Sequence, residues 1–452
     1  MNIIIAGGGK VGVTLVRILS AEGHDLTLID QDKYVLESCV EQYDVMAVDG
    51  NCASMPVLLR AGVKNADLLI ATANADEVNL LCCMTAHGIN KQIHTIARIR
   101  NPDYAEQVYK MRNFFALSLS VNPEKQAAKE IERLLKYPGF LQRDTFAKGR
   151  SEIVELRIDS TSKLCNISLS EMYATVKAHV LVCTVQRGDK ALVPKGDFVL
   201  REGDRLFITA TTTELTVLLK NLGIITRRVR SCLLCGGDRI SYYLSELLTK
   251  DGIAVKIIEK SPARCRELAI SLPKADVILG DCSSQKELDE QRISDFDAVV
   301  TLTGIDEMNM IISLYASSCQ VPQVITKLGR PENYLLADSI SLGSTICPRE
   351  LCSNNIVRYV RAMENQSGAA ISVHAIADGL AEAVEFLVDE STPHCAEPLK
   401  DLHLKPNVLI ASITHGYDVQ IPNGNSVFLP GDTVVVVSTG RGVLQHLGDI
   451  FV

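Results

Sequence analysis

Several things are missing from this sequence, and each absence removes a class of function. No apolar run approaches the ~20 residues that a membrane-spanning helix needs; the longest, such as "TVVVVS" at Thr433–Ser438, have the length of a strand. Basic charge is in deficit: 46 Lys and Arg against 54 Asp and Glu give a net charge of −8. A nucleic-acid binder, which usually presents a basic surface, is therefore not expected. The residues after Met1 read as a strand, with neither a basic n-region nor a cleavage site, so no secretory leader is expected. Metal-ligand spacing is absent too. The 14 cysteines are scattered, several in apolar contexts such as "LLCCM" around Cys82 and Cys83. Cys232 and Cys235 have C-x-x-C spacing but straddle a predicted buried strand, which would point them to different faces. They read as small hydrophobes in a reducing cytoplasm, not as zinc ligands or disulfides.

What is present is a soluble, globular composition, 47% apolar and 22% charged, over 452 residues. That length implies three or four domains. The chain is also written twice. "GGGKVG" at Gly7 returns as "GGDRIS" at Gly236, an offset of 229, and Asp30 closing "LTLID" returns as Glu259 closing "VKIIE". "NADEVNLL" from Asn74 matches "GIDEMNMI" from Gly304, offset 230, and "ARIRNPDY" from Ala97 matches "TKLGRPEN" from Thr326, offset 229. "VPKGDFVLREGDRLFI" from Val193 matches "IPNGNSVFLPGDTVVV" from Ile421, offset 228. A register this constant marks a tandem duplication.

Each copy has two parts. The first alternates short β-branched runs ("NIIIA", "LTLID", "VMAVD", "LLIAT", "IHTIARI") with helical segments, which predicts a parallel sheet covered on both faces. A helix follows in "NPEKQAAKEIERLLKYPG", with Asn122 as N-cap, Pro123 in the first turn and Pro138-Gly139 as the stop. The second part is richer in strands and turn signals (Arg187-Gly188, Lys195-Gly196, Glu202-Gly203) and reads as a small α+β module. The expected fold class is α/β: two Rossmann-like parallel-sheet domains in tandem, each followed by a small α+β domain. Expected boundaries are 1–120 and 229–345 for the sheet domains, 121–150 and 346–366 for the connecting helices, and 151–225 and 367–452 for the small modules, with a hinge near Gln366.

A lone G-x-G-x-x-G is weak evidence, but this one follows a strand, opens a helix and has an acid at the end of the second strand. Asp30 lies 18 residues past Gly12, near the ~20 expected of an acid that holds a ribose. Gly7 permits the tight turn, Gly9 lets backbone approach a phosphate, and Gly12 lets helix and strand pack closely. Free N–H groups and the helix dipole favour an anion there, the dipole by roughly 0.3–1 kcal/mol. Asp30 should repel a 2′-phosphate, so NAD(H) is expected over NADP. Lys10 stands in the turn itself, where a cation could meet a pyrophosphate or the terminal phosphate of ATP. Arg98, at the end of the fifth strand, is a second candidate anion contact, set against the plainer reading of a solvated strand-end charge. Asp76 and Glu77 read as first-turn helix acids favoured by the dipole.

These motifs, in this order, resemble the TrkA family, the peripheral regulatory subunits of Trk-type potassium uptake systems. That family carries two nucleotide-binding regulator-of-potassium-conductance (RCK) domains, each followed by a TrkA-C domain. The resemblance rests on "IIIAGGGKVG", Asp30, "DEVNLL", "ARIRNPDY" and the repeated "P-x-G…GD" modules, and it covers essentially the whole chain. It implies binding of NAD(H), often of ATP or ADP, and assembly into a homotetrameric gating ring. It also implies contact with an integral-membrane Trk/Ktr-type potassium transporter subunit at the cytoplasmic face, with no membrane insertion of its own. By position, Gly7, Gly8, Gly9, Lys10, Val11, Gly12, Asp30, Thr72, Ala73, Asn74 and Arg98 belong to the first site. Gly236, Gly237, Asp238, Arg239, Ile240, Glu259 and Thr303 belong to the second. The family often has Thr where this chain has Ala73, which removes one hydroxyl contact.

The rival class is a nicotinamide oxidoreductase, which needs an acid–base group beside the nicotinamide. His24, His87, His94 and His179 fall in no such constellation, and His94, within an apolar strand, reads as structural. The small modules hold no paired carboxylates, no nucleophile with its base and no ligand cluster. Two nucleotide folds per chain suit a device that converts occupancy into domain geometry; no catalytic residues are expected. A third class, a structural adaptor with vestigial sites, would show no stabilisation by nucleotide.

The echo is imperfect. Asp238 replaces Gly9 and Ser241 replaces Gly12. A carboxylate about 5 Å from a phosphate, at an effective dielectric near 20, repels it by on the order of 3 kcal/mol. Arg239 could offset part of this. On the alternative reading Asp238 only caps the helix, with its side chain turned away. The first expectation is unequal halves, the first binding NAD(H) or ATP well and the second binding weakly or only a less charged nucleotide.

Overall fold

The computed structural model describes residues 1–136, 143–146, 151–223, 229–330, 333, 340, 342–364, 370–439, 444 and 446–452. The helix stop at 138–139 and the hinge at 366 lie outside them. The chain forms two compact units, each drawing on both halves. One comprises Met1–Ile131, Cys232–Gln320 and Ile325–Tyr359; the other comprises Glu132–Ser231, Val321–Val324 and Val360–Val452.

The first copy runs β1 (Asn2–Ala6), α1 (Lys10–Ala21), β2 (Asp25–Asp30), α2 (Lys33–Gln42), β3 (Met46–Asp49) and α3 (Met55–Arg60). It continues with β4 (Leu68–Ala71), α4 (Asp76–Ile89), β5 (His94–Arg98), α5 (Pro102–Lys110), β6 (Leu119–Val121) and α6 (Pro123–Lys136). Its strands lie in the order β3-β2-β1-β4-β5-β6, with parallel pairings throughout. That is the doubly wound order of dinucleotide folds, whose crevice opens where the winding reverses, between β1 and β4. The strands are short apolar runs because both faces are covered: Ile3 to Ala6 and all of β4 are buried. Each such Ile or Leu contributes about 1.5–3 kcal/mol. Helix α1 turns Val11, Leu15, Val16 and Leu19 onto the sheet.

A small module follows: β7 (Arg143–Phe146), β8 (Ser151–Arg157), α7 (Leu169–Val176), β9 (Leu181–Arg187), β10 (Lys190–Leu192), β11 (Arg205–Ala210) and α8 (Thr212–Leu222). The second copy repeats the sheet with β12 (Ser231–Cys235), α9 (Arg239–Lys250), β13 (Ala254–Glu259), α10 (Pro262–Ser271), β14 (Asp276–Leu279), α11 (Gln285–Glu290) and β15 (Ala298–Thr301). Then come α12 (Asp306–Ser318), β16 (Gln323–Lys327), β17 (Ser344–Ile346) and α13 (Pro348–Glu364). Its order, β14-β13-β12-β15-β16-β17, matches the first. The last module is β18 (Ala370–Ile376), β19 (Ala381–Leu387), β20 (Val408–His415), β21 (Asp418–Gln420) and β22 (Thr433–Thr439).

In the first unit the copies are tied together by side chains. The Tyr243 hydroxyl accepts from Asn122 Nδ2 at 3.0 Å and donates to the Arg100 carbonyl at 3.3 Å. His94 Nδ1 and the Tyr359 hydroxyl share a hydrogen bond of 3.0 Å. His94 therefore sits at the exposed mouth of β5 and not within its apolar stretch. In the second unit two five-stranded sheets, β10-β9-β11-β8-β7 and β18-β19-β22-β20-β21, meet face to face. Phe146, Ile153, Cys183 and Phe207 of one pack on Ala381, Ala383, Ala411, Val435 and Val437 of the other. The alanines make room for the two phenylalanine rings. Ser151 Oγ donates to Ser412 Oγ within this layer at 2.8 Å, and α7 and α8 cover the first sheet's other face.

Two sequence expectations need correction. Each sheet has a sixth strand, β6 and β17, which at three residues carries no periodic signal. The stretch 121–150 is not only helix and linker, since it also supplies β7, paired antiparallel to β8. All 14 cysteines are free, Cys232 and Cys235 among the fully buried, and burial pushes the Cys83 and Cys183 thiols up to about 12. Among the described residues no helix is long and apolar enough to cross a membrane, and no His, Cys, Asp and Glu group could hold a metal.

Candidate functional site

The first glycine turn joins β1 to α1 at the sheet's crevice. Gly7 has φ +110°, and a Cβ there would lie 2.7 Å from the Ala73 nitrogen, so no side chain fits. Its N–H continues the ladder to the Ile29 carbonyl at 2.8 Å. Gly8 N–H donates to Asp30 Oδ2 at 2.5 Å, and Asp32 N–H donates to Asp30 Oδ1 at 2.9 Å. The carboxylate thus braces the turn, and each oxygen keeps a lone pair for a further donor such as a ribose hydroxyl.

Gly9 is the N-cap of α1, extended at φ −70° and ψ −177°, with no side-chain cap and no acid in the first turn. A Cβ on it would meet nothing within 4 Å. The leading N–H groups of α1 therefore face open space, as an anion cradle requires. Lys10 beside them is exposed, whereas the Val11 side chain is buried in the core, so Val11 can offer only backbone. Thr72 Oγ1 donates to the Gly7 carbonyl at 3.0 Å and steadies the turn from β4, while Asn74 is exposed at the rim.

Arg98 is the most informative side chain here. It is not a solvated strand-end charge: it is 9% exposed, and burial, with Arg100 near it, pulls its pKa below the ordinary guanidinium value. Its Nη2 donates to the Ala73 carbonyl at 2.9 Å, and its Nε is buried with no partner. Arg98 is thus a buried cation with an unused donor at the end of β5, and leaving such a donor unpaired is costly.

Two residues that the sequence did not place in the site hold its frame. Asn79 Nδ2 bridges the Ala73 and Arg98 carbonyls at 3.1 and 2.9 Å, joining the ends of β4 and β5. Asp76, taken as a dipole-favoured helix acid, is buried and accepts from the Arg100 and Asn101 N–H groups at 2.9 and 2.7 Å. Both recur as Asp306 and Asn309, and the paired "DE-x-N" in the two copies was the available signal. Asn309 Oδ1 accepts from the Thr303 hydroxyl at 2.7 Å, whereas Asn79 Oδ1 is buried and unpartnered, Ala73 standing where the second copy has Thr303. Ala73→Thr should restore that bond and raise stability by about 1 kcal/mol, read as a higher melting temperature; a lower one would mean that the pocket cannot take the extra atoms.

In the second copy Gly236 has φ +108°, and Glu259 accepts from the N–H groups of Gly237 and Ser261, both at 2.7 Å, as Asp30 does in the first. Ser241 fits where Gly12 stood, donating its Oγ to the Gly236 carbonyl. Asp238 takes the capping alternative: Oδ1 accepts from Ser241 N–H at 3.0 Å. Its other oxygen pairs at 2.6 Å with Lys327, the counterpart of Arg98, and not with Arg239, which is exposed. Ile240 is core. Arg264, where the first copy has Val35, donates from Nε to the Gly237 carbonyl at 2.7 Å.

Comparison with known proteins gives this architecture its place. The TrkA-N domain model matches residues 3–115 and 232–348, and the TrkA-C domain model matches 153–223 and 383–448. A Trk system potassium uptake protein TrkA homolog from Archaeoglobus fulgidus is 31% identical over 437 residues, covering 96% of this chain and 97% of that protein. The Haemophilus influenzae Trk system potassium uptake protein TrkA is 27% identical, over 100% of this chain and 98% of its own. Among solved structures, the GsuK RCK domain covers 97% of this chain and 92% of its own at a TM-score of 0.62 and 16% identity. The GsuK channel bound to NAD covers 97% of this chain and 77% of its own at a TM-score of 0.61 and 17% identity, a likeness of fold. The class is therefore a tandem α/β protein with two TrkA-N domains, each followed by a TrkA-C domain. The chain belongs to the TrkA family.

Proposed function

We propose that this chain is the cytoplasmic regulatory subunit of a Trk/Ktr-type potassium uptake transporter, and that it couples binding of NAD(H) or of ATP/ADP at the first glycine turn to potassium transport. The observation that carries this is the uncapped turn at Gly9 set beside the buried, under-used Arg98. Asp30 at the end of β2 suits an adenosine ribose with both hydroxyls free. The uptake role follows from what the relatives are named for. Self-association into a homotetramer is part of the reading: α4 and α12 leave Leu81, Ile311 and Leu314 more than 40% exposed, a surface that assembly would cover.

The test is potassium uptake in cells lacking the endogenous subunit, complemented with the parent chain and with a chain whose first turn is blocked. Nucleotide-dependent uptake restored only by the parent supports the proposal. Equal restoration by both makes the chain a structural adaptor. Asp30→Ala should weaken NADH binding by roughly 1.5–3 kcal/mol, one charged hydrogen bond, and loosen the turn that Asp30 braces. An unchanged dissociation constant in calorimetry would remove Asp30 from the site.

A further inference from the structure

The two turns have nearly the same backbone. Gly7 and Gly236 have φ of +110° and +108°. Gly9 has φ −70° and ψ −177°, and Asp238 has φ −72° and ψ −173°. What differs is what stands at the anion position. In the first copy the leading N–H groups of α1 are uncapped, and the buried Arg98 has a donor to spare. In the second, one carboxylate oxygen of Asp238 takes the Ser241 N–H and the other takes Lys327 Nζ at 2.6 Å. Lys327 also donates to the Leu302 carbonyl at 3.1 Å, as Arg98 does to that of Ala73. The helix N-terminus and the strand-end cation, the two groups that would hold a phosphate, are thus both engaged by one carboxylate of the chain itself.

We infer that Asp238 is a built-in ligand: with Ser241 N–H and Lys327 it fills the phosphate position of the second turn, so that this turn takes no nucleotide while its frame remains intact. The acid brace and the strand-end tie of the second site are preserved. Glu259 braces Gly237 as Asp30 braces Gly8, and Asn309 ties Thr303 to the end of β16. Removing one carboxylate should therefore create a site rather than destroy a fold. The opened site would be more cationic than the first, since Arg264 lies across the turn at Gly237 where the first copy has Val35. The ligand class is a nucleoside diphosphate or dinucleotide, whose phosphate would replace the Asp238 carboxylate between the α9 N–H groups and Lys327. The inference rests on reading the glycine turn as a nucleotide site, yet its test is independent of the first turn.

The experiment is calorimetry with NADH, and separately with ADP, on the full chain as the parent, Asp238→Gly and Asp238→Asn. Asn keeps a helix cap and removes the charge, which guards against a Gly variant that fails to fold. The quantity read is the difference in sites per chain. One additional site in either variant, at least tenfold tighter than any second event in the parent, supports the inference. No additional site in either folded variant overturns it, as do two equivalent tight sites in the parent. The parent's own count reads the proposal above separately: no binding by the parent, with one site gained on Asp238→Gly, would sink the first-turn assignment and uphold this one.

Discussion

A chain carrying Gly9→Asp is expected to fold as the parent does and to lose nucleotide at its first turn by more than a hundredfold. The folding half follows from Gly9 itself. Its backbone is extended, a conformation open to any residue, and a Cβ there meets nothing within 4 Å. The second copy already carries Asp at this position on the same backbone. By that precedent the new carboxylate would cap α1 and pair with Arg98, so the unliganded variant should melt no lower than the parent, and higher by about a few tenths of a kcal/mol of added capping. The binding half follows from charge and volume. A carboxylate about 5 Å from a phosphate at an effective dielectric near 20 costs on the order of 3 kcal/mol, over a hundredfold in affinity. Calorimetry with NADH, beside a thermal melt without ligand, checks both halves. Undiminished affinity would mean that no phosphate approaches Gly9.

Gly12→Ala should be the opposite kind of mutant, sparing the chemistry and damaging the fold. A Cβ on Gly12 would lie 1.9 Å from the Gly7 carbonyl oxygen and 3.2 Å from Thr72 Oγ1. The obstacle is backbone on the floor of the turn, so α1 would have to lift from β1 and give up the packing of Val11 and Leu15. Overpacking of this kind costs typically 1–3 kcal/mol, occasionally more, and the contact distance places Gly12 at or above ~3 kcal/mol. Ser241→Ala is the control. There a side chain is already accommodated, so the loss should be one buried hydrogen bond, about 1 kcal/mol. Because the chain forms two units, unfolding need not be two-state. The readout is the midpoint of the transition assigned to the first unit by limited proteolysis. A Gly12→Ala chain as resistant as Ser241→Ala would contradict the packing argument.

Much of this was legible in the sequence, and the rest failed for identifiable reasons. The offset of 229 is a property of letters, and it carries the architecture because homologous segments fold alike. Continuous apolar runs separated by helical segments dictate a covered parallel sheet. The turn at Gly7 was readable because three glycines and an acid have distinct steric duties at fixed spacing. Strands β6 and β17 were not, since three residues hold barely one alternation. Arg239, adjacent in sequence, offered itself as the cation that would offset Asp238, but the structure pairs Asp238 with Lys327. Lys327 is 89 residues away, and only the repeat register, which aligns it with Arg98, points to it. For Arg98 the sequence left an anion contact and a solvated charge both open, because burial is set by the packed fold and its charged neighbours include Glu124 and the distant Cys352, which no local window contains together.

The crossed ties between the halves bear on how the chain is made. His94 finds Tyr359 across 265 residues, and Ser151 finds Ser412 across 261. Translation at ~5–20 residues per second separates such partners by roughly 13–50 s. For that interval the early half exists with its future contact faces open, including Phe146 and Phe207, which are covered only when Ala383 and Val435 arrive. A ribosome that stalls between the halves would thus release a sticky half-product, a natural client for chaperones and proteases. Slow synthesis through the middle of the message would be a hazard for this protein, and two copies expressed as separate chains would have to find each other by diffusion before either was safe.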